Sequence, residues 1–310
     1  MWRLPGLACK NAGGNSWFPE VKNTMLKPRM NKHLTQQLGF ILMRFVAVLT
    51  ILPIFFILAV IIQQGAGSLS LEFLTQMPSN GMRSGGIMPA IVGTLYLTIG
   101  TAIFSVPLGL AAGIYIAEYA SDTLWTRLIR IAIISLAGVP SVVFGLFGLG
   151  LFVLFLHFGT SILAASLTLA LMTLPVIIST TEEALRSVPA RFRIVGRSLG
   201  ATQWQTIHRL ILPQAMPGIL TGVILGLERA AGETAPILFT GAAFFLPRLP
   251  GSIFSATMAL PYHIFVISTQ VPGMPVQIQY GTALVLLIYV LGMNLIATLI
   301  RNRARRNRQW

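Results

Sequence analysis

The chain has a single cysteine, Cys9, in 310 residues. One cysteine cannot close an internal disulfide or furnish a multi-cysteine metal site. Acid is almost as scarce, with eight Asp and Glu against 22 Lys and Arg. Charged residues make up 10% of the chain, where a soluble globular domain carries about 25%. All four lysines lie at or before Lys32. No Gly-x-x-x-x-Gly-Lys phosphate loop exists, so any ATP hydrolysis falls to a partner and the chain reads as a non-enzyme. His33, His157, His208 and His263 stand apart, none with a second His, Cys or acid at ligand spacing, so neither a metal nor a cofactor is expected. No Ser/His/Asp or Cys/His set is present for an intramembrane hydrolase.

Apolar residues are abundant, at 55%, with a mean hydropathy of +0.77. That composition belongs to an integral membrane protein. Six runs supply about 18 or more apolar-dominated residues each, enough for a hydrocarbon layer of about 30 Å. They are Phe45–Ile62, Met88–Ile116, Ile129–Phe158, Ile162–Ser179, Ile219–Phe239 and Gly281–Ile300. The second is expected to bend at Pro107 and the third to break near Pro140. The fold class is therefore all-α and polytopic.

The net charge of +14 suggests nucleic acid until its distribution is read. Nineteen Lys and Arg fall in the tails and in two loops on one side, whereas Arg83 and Arg248 stand alone on the other. This is the positive-inside pattern, and with six spans it places both termini in the cytoplasm. Residues 1–38 read as a basic tail without fixed structure, 39–300 as the transmembrane domain with a cytoplasmic link at 180–213, and 301–310 as a second basic tail. Met25 and Met30 stand as alternative starts. Leu7-Ala8-Cys9 has no apolar run before it and reads as a chance likeness to a lipoprotein cleavage site. The outer loop 240–280 contains an apolar piece, Ser255–Ile267, with the length of a short re-entrant helix or an ordered loop.

The fifth span is the unusual one. It carries Glu228, Arg229 and Glu233 in an otherwise apolar run. A charge at the bilayer centre costs roughly 2.5–3.5 kcal/mol on insertion scales, so such residues face a bundle interior or a watery path. Arg229 and Glu233 are four apart and can pair on one helix face; Glu228 points about 100° away. Gly218, Gly222 and Gly226 repeat every fourth residue, a close-packing stripe for another helix. Pro236 predicts a kink just beyond the charges. A guanidinium offers a planar fork of donors that fits phosphate oxygens, and Glu233 would hold it between passages. A purely structural pair remains the alternative. Glu228 could meet a partner subunit or take up a proton.

In the link, Leu185–Leu199 and Ala201–Leu212 read as two short amphipathic pieces separated at Gly200, with Trp204, Ile207, Leu210 and Ile211 on the second apolar face. A connector lying on the membrane surface is one reading; a docking helix gripped by another protein is the other. Glu118 and Asp122 are expected to be solvated or to contact this link.

The link resembles that of bacterial ABC importer permeases, whose signature is Glu-Ala-Ala, three residues, Gly, closed by Leu-Pro. The matching run is Ile194-Val195-Gly196-Arg197-Ser198-Leu199-Gly200-Ala201-Thr202, closing at Leu212-Pro213. Ile194 stands where the family usually has Glu. Further runs are similar to the permeases of phosphate importers, the PstA-like branch: Ile114–Tyr119, Pro140–Phe147, Ala230–Thr240, Leu260-Pro261 and Ile264-Phe265.

The resemblance implies a type I importer permease fold with cytoplasmic coupling helices in a bacterial inner membrane. Its partners would be a homologous second permease (PstC-like), an ATPase dimer (PstB-like) and a periplasmic phosphate-binding protein (PstS-like). Arg229 and Glu233 match positions associated with translocation in that family. Arg193, Gly200, Ala201, Thr202 and Trp204 lie in the segment expected to contact the ATPase. Sulfate, molybdate or tungstate is the nearest rival substrate; a secondary transporter, or a sensor or scaffold, is a more distant reading.

Overall fold

The computed structural model describes residues 32–306, with side-chain surroundings for 36–303. Most of the expected tail, including Cys9, lies outside the described residues, as do 307–310. The chain divides into two units, residues 1–56 and 57–310. The described part of the first is the beginning of helix α1 (Lys32–Gly65), with apolar side chains such as Phe45, Phe55 and Phe56 exposed. The helix starts within what reads as tail.

The second unit takes up the end of α1 and a short turn, then α2 (Leu71–Thr75), capped where the Ser70 hydroxyl accepts from Phe73 N–H at 3.1 Å. A two-residue hairpin, β1 (Pro78–Ser79) with β2 (Ser84–Gly85), leads to α3 (Met88–Ile114). This ends in a wide π-type turn, Tyr115–Tyr119. Next come α4 (Leu124–Ala137) and α5 (Ser141–Gly148), the latter continued by a π-type turn to Phe155. These two meet at a bend of 100°. The break at Pro140 is thus a right-angled corner, because the residue before a proline is driven out of the helical region.

The remainder is α6 (Ile162–Arg186), α7 (Arg191–Ser198), α8 (Gln203–Thr206), α9 (Leu212–Gly232), α10 (Ala235–Thr240), α11 (Leu260–Thr269) and α12 (Val276–Arg306). The starts have local causes. Thr123, Ser161 and Thr202 side chains cap α4, α6 and α8, and prolines occupy the first turn of α3, α9, α10 and α11, where a missing N–H costs nothing. Among the described residues five helices are long and apolar enough to cross a membrane, six if the bent pair is one span. The apolar piece in the 240–280 loop is helical, from Leu260 to Thr269.

The core runs along α6. One buried cluster joins it to α3, α10 and α11 through Leu97, Leu169, Met172, Ile237, Leu260 and Ile267. A second, smaller one lies at the link: Ala184, Leu185, Val188, Ile207, Ile211, Ala215 and Ile219. Thr94, Thr98, Thr101 and Ser105 form a buried row on α3, each satisfied by the carbonyl four residues earlier. Polar groups in an apolar helix are thereby spent locally.

Candidate functional site

Arg229 occupies the last turn of α9. A cation there faces the negative end of the helix dipole, a favourable placement. The helix stops at Gly232; Glu233 is extended, with φ −76° and ψ 138°. Pro236 lies in the first turn of α10. The fifth span is therefore interrupted outright at residues 233–234 rather than kinked. Pro236 cannot donate back to Gly232, so the chain begins a new helix.

Glu233 sits in this gap, between the C-terminus of α9 and the start of α10. Its neighbour is Arg229, whose Nε donates to Oε1 at 3.4 Å. The two side chains are 39% and 18% exposed. Glu228 is apart from that pair: its Oε1 is buried and has no hydrogen-bond partner among the described residues. The three charges thus form one pair and one carboxylate with an unpartnered buried oxygen among the described residues.

Two of the family-like runs meet here. A Cβ on Gly145 of α5 would lie 3.0 Å from Pro236 Cα and 3.1 Å from the Ala235 carbonyl oxygen. Only a glycine lets α5 approach the start of α10 so closely. The Pro140–Phe147 run therefore backs the interruption that carries Glu233. Behind α9 the glycines lie on α6: a Cβ on Gly218 would meet Ala184 at 2.8 Å, and one on Gly226 would meet Ile177 at 3.3 Å. Gly222 abuts Thr180 still more closely.

The link makes the second part of the site. Gly200 has φ +73°, a backbone that favours glycine, and separates α7 from α8. Thr202 and Gln205 cap α8 reciprocally. Ala201 N–H donates to the Gly196 carbonyl at 3.1 Å. Ile207 and Ile211 are buried, as periodicity predicts, but Trp204 is 59% exposed. It stacks on His208 with ring centroids 5.9 Å apart. The buried cluster at the link ends before Trp204 is reached, so the expected shared face is split. Ile194 and Val195 of α7 and Leu199 just after it are also exposed.

Sequence reasoning did not find the ion pairs that fasten this end. Arg193 grips Glu118, with Nε donating to Oε2 at 3.1 Å. Arg130 donates to Glu182 at 2.8 Å and Asp122 at 3.2 Å, and Arg186 shares Glu182 at 2.9 Å. Glu118 contacts the link, whereas Asp122 remains 88% exposed. The Arg130–Glu182 and Arg193–Glu118 partners are 52 and 75 residues apart in sequence, which no local spacing signals; Arg186–Glu182 is an i,i+4 pair. A cavity of about 420 Å³ lies beside Glu118, Arg193, Arg197 and Gln203.

Comparison with known proteins agrees with this architecture. Residues 105–309 match the family model for the binding-protein-dependent transport system inner membrane component. The chain is 34% identical over 282 residues to the probable ABC transporter permease protein YqgI of Bacillus subtilis, covering 86% of this chain and 95% of that one. It is 38% identical over 227 residues to the phosphate transport system permease protein PstA 1 of Mycobacterium tuberculosis, 73% of each. A solved bacterial ABC transporter involved in the import of the acidic polysaccharide alginate superposes with a TM-score of 0.65 at 14% identity, over 88% of this chain and 98% of that one. At that identity the likeness is one of fold.

Proposed function

The chain belongs to the family of binding-protein-dependent transport inner membrane components, and from that footing we propose that it is one permease of an ATP-driven importer of inorganic phosphate. Its relatives' phosphate role supports the substrate. The observation that carries the mechanism is the Arg229–Glu233 pair at the interruption of a membrane span. Phosphate exchanges with Glu233 at the Arg229 guanidinium, which gives the anion a counter-charge inside the bilayer without holding it.

The remaining assignments follow this reading. The permease sits in a bacterial inner membrane with both termini cytoplasmic, by its Lys and Arg distribution. A homologous second permease completes the path and supplies the donor for Glu228, whose Oε1 is buried and unpartnered among the described residues, a costly state for a carboxylate oxygen. An ATPase dimer engages α7 and α8 around Arg193, Gly200, Ala201, Thr202 and Trp204. A periplasmic phosphate-binding protein delivers the substrate and sets its selectivity.

The test is ATP-dependent uptake of radiolabelled phosphate by the reconstituted complex, with sulfate, molybdate and tungstate as competitors. Arg229→Gln at normal membrane abundance should lower uptake about tenfold or more, the equivalent of losing one charge-assisted contact. Wild-type uptake by this variant removes the role of Arg229. Displacement of phosphate by another oxyanion reassigns the substrate.

A further inference from the structure

Glu118 is placed where a carboxylate is out of favour. It lies in the wide turn that ends α3, near the negative end of that helix's dipole, and its side chain is 6% exposed. A charge so placed depends on its partner. Arg193 of α7 supplies it with a two-pronged contact, Nε to Oε2 and Nη2 to Oε1. The rest of the guanidinium is engaged too. Nη1 donates to the Val188 carbonyl and Nη2 to the Leu185 carbonyl, both at 2.9 Å. Gln203 of α8 donates Nε2 to the Glu118 carbonyl at 2.7 Å. The end of α3, the end of α6 and both link helices thus close on one residue.

We propose that Glu118 is a positioning residue that fastens the link helices to α3, so that a displacement of the link is delivered to α3 as to a rigid body. This rests on the reading of the link as the ATPase contact. α6 and α9 already follow the link covalently, one on each side of it; α3 does not, and this joint makes it move with them. A forked Arg–carboxylate contact resists rotation, whereas apolar packing such as that of the cluster holding Leu185 and Ile207 permits sliding. From α3 the movement has a packed route to the charge pair. Gly109 lies on Ile177 and Gly113 on Thr181 of α6; Gly222 of α9 lies on Thr180. Arg229 lies in the last turn of α9.

The experiment uses the assembled transporter in vesicles, with the phosphate-binding protein and ATP, and reads phosphate moved per ATP hydrolysed. Glu118→Gln should lower that ratio about fivefold or more, a typical coupling between sites, while ATP hydrolysis and complex abundance hold. A second arm covers variants that assemble poorly. In a Cys9→Ser background, Glu118→Cys with Arg193→Cys should be uncoupled, and a short bismaleimide bridging the two should restore the ratio. A wild-type ratio in Glu118→Gln, or a bridged complex no better than the unbridged one, overturns the joint. Absence of ATP-driven uptake in the wild-type complex overturns the transport reading, and this proposal with it.

Discussion

The Arg229 guanidinium and the Glu233 carboxylate meet at 3.4 Å across the end of a helix, not along one. Spacing of four residues would place them on a continuous helical face, yet Glu233 has already left the helix. The contact is single and long for a charged pair, and the arginine is more than a third exposed. A partner held this loosely can be exchanged for an anion of better geometry.

Glu233→Gln and Arg229→Gln should therefore fail in different ways. Without Arg229 the path loses its counter-charge, so phosphate uptake falls through kcat/KM. Without the Glu233 charge, Arg229 has no competitor for phosphate; the anion lingers and kcat falls while apparent KM holds or drops. The difference amounts to about 1.5–3 kcal/mol for a charged hydrogen bond. Uptake curves against phosphate concentration decide it. A rise in KM for Glu233→Gln means that the carboxylate does not compete with the substrate.

The glycine stripe of α9 should show graded tolerance to alanine. A Cβ on Gly222 would overlap Thr180, one on Gly218 would lie 2.8 Å from Ala184, and one on Gly226 would lie 3.3 Å from Ile177. Overpacking costs about 1–3 kcal/mol, so thermal stability should fall most for Gly222→Ala and least for Gly226→Ala. Thr180→Gly should recover part of the Gly222→Ala loss and none of the Gly218→Ala loss. Equal melting temperatures for the three single variants contradict close packing on α6.

Much of this architecture was legible in the residues, for reasons that vary by element. Long apolar runs and sparse charge disclose spans, because the bilayer demands both. The stripe at 218, 222 and 226 signals a close neighbour, although nothing in it names α6. Pro236 signals a disturbance but not its size: a proline permits a kink or a full stop, and the backing of α5 through Gly145 accompanies the stop. The link's turn was visible at Gly200. The Glu118–Arg193 and Arg130–Glu182 pairs were not, since each joins residues from different helices and leaves no periodic trace. Trp204 misled for a related reason. Periodicity tells which side chains share a face, not where the neighbouring surface ends.

Glu182 should matter more than its exposed partner. It accepts from Arg130 at 2.8 Å and from Arg186 at 2.9 Å, and is 14% exposed, whereas Arg186 is 51% exposed. Glu182→Gln leaves Arg130 with only the solvated Asp122 as an ionic partner and should destabilise by about 2 kcal/mol, below the full penalty for a buried pair. Arg186→Ala removes a surface contact worth about 0–1 kcal/mol. Thermal unfolding of the purified complex in lipid nanodiscs separates the two; similar shifts would place the weight of the network on Arg186.

Gly200 permits a test of backbone against space. Its φ of +73° favours glycine, yet a Cβ there would meet nothing within 4 Å. If conformation alone matters, Gly200→Asn is tolerated, because asparagine enters the left-handed region readily. Gly200→Val is not, because a β-branched side chain there costs about 1–3 kcal/mol. The turn sets α8 against α7, so the valine variant should lose ATPase on co-purification and the asparagine variant should retain it. Equal loss in both would mean that the surface over Gly200 is itself covered by the partner, where any side chain obstructs. Equal retention would mean that the turn does not govern docking.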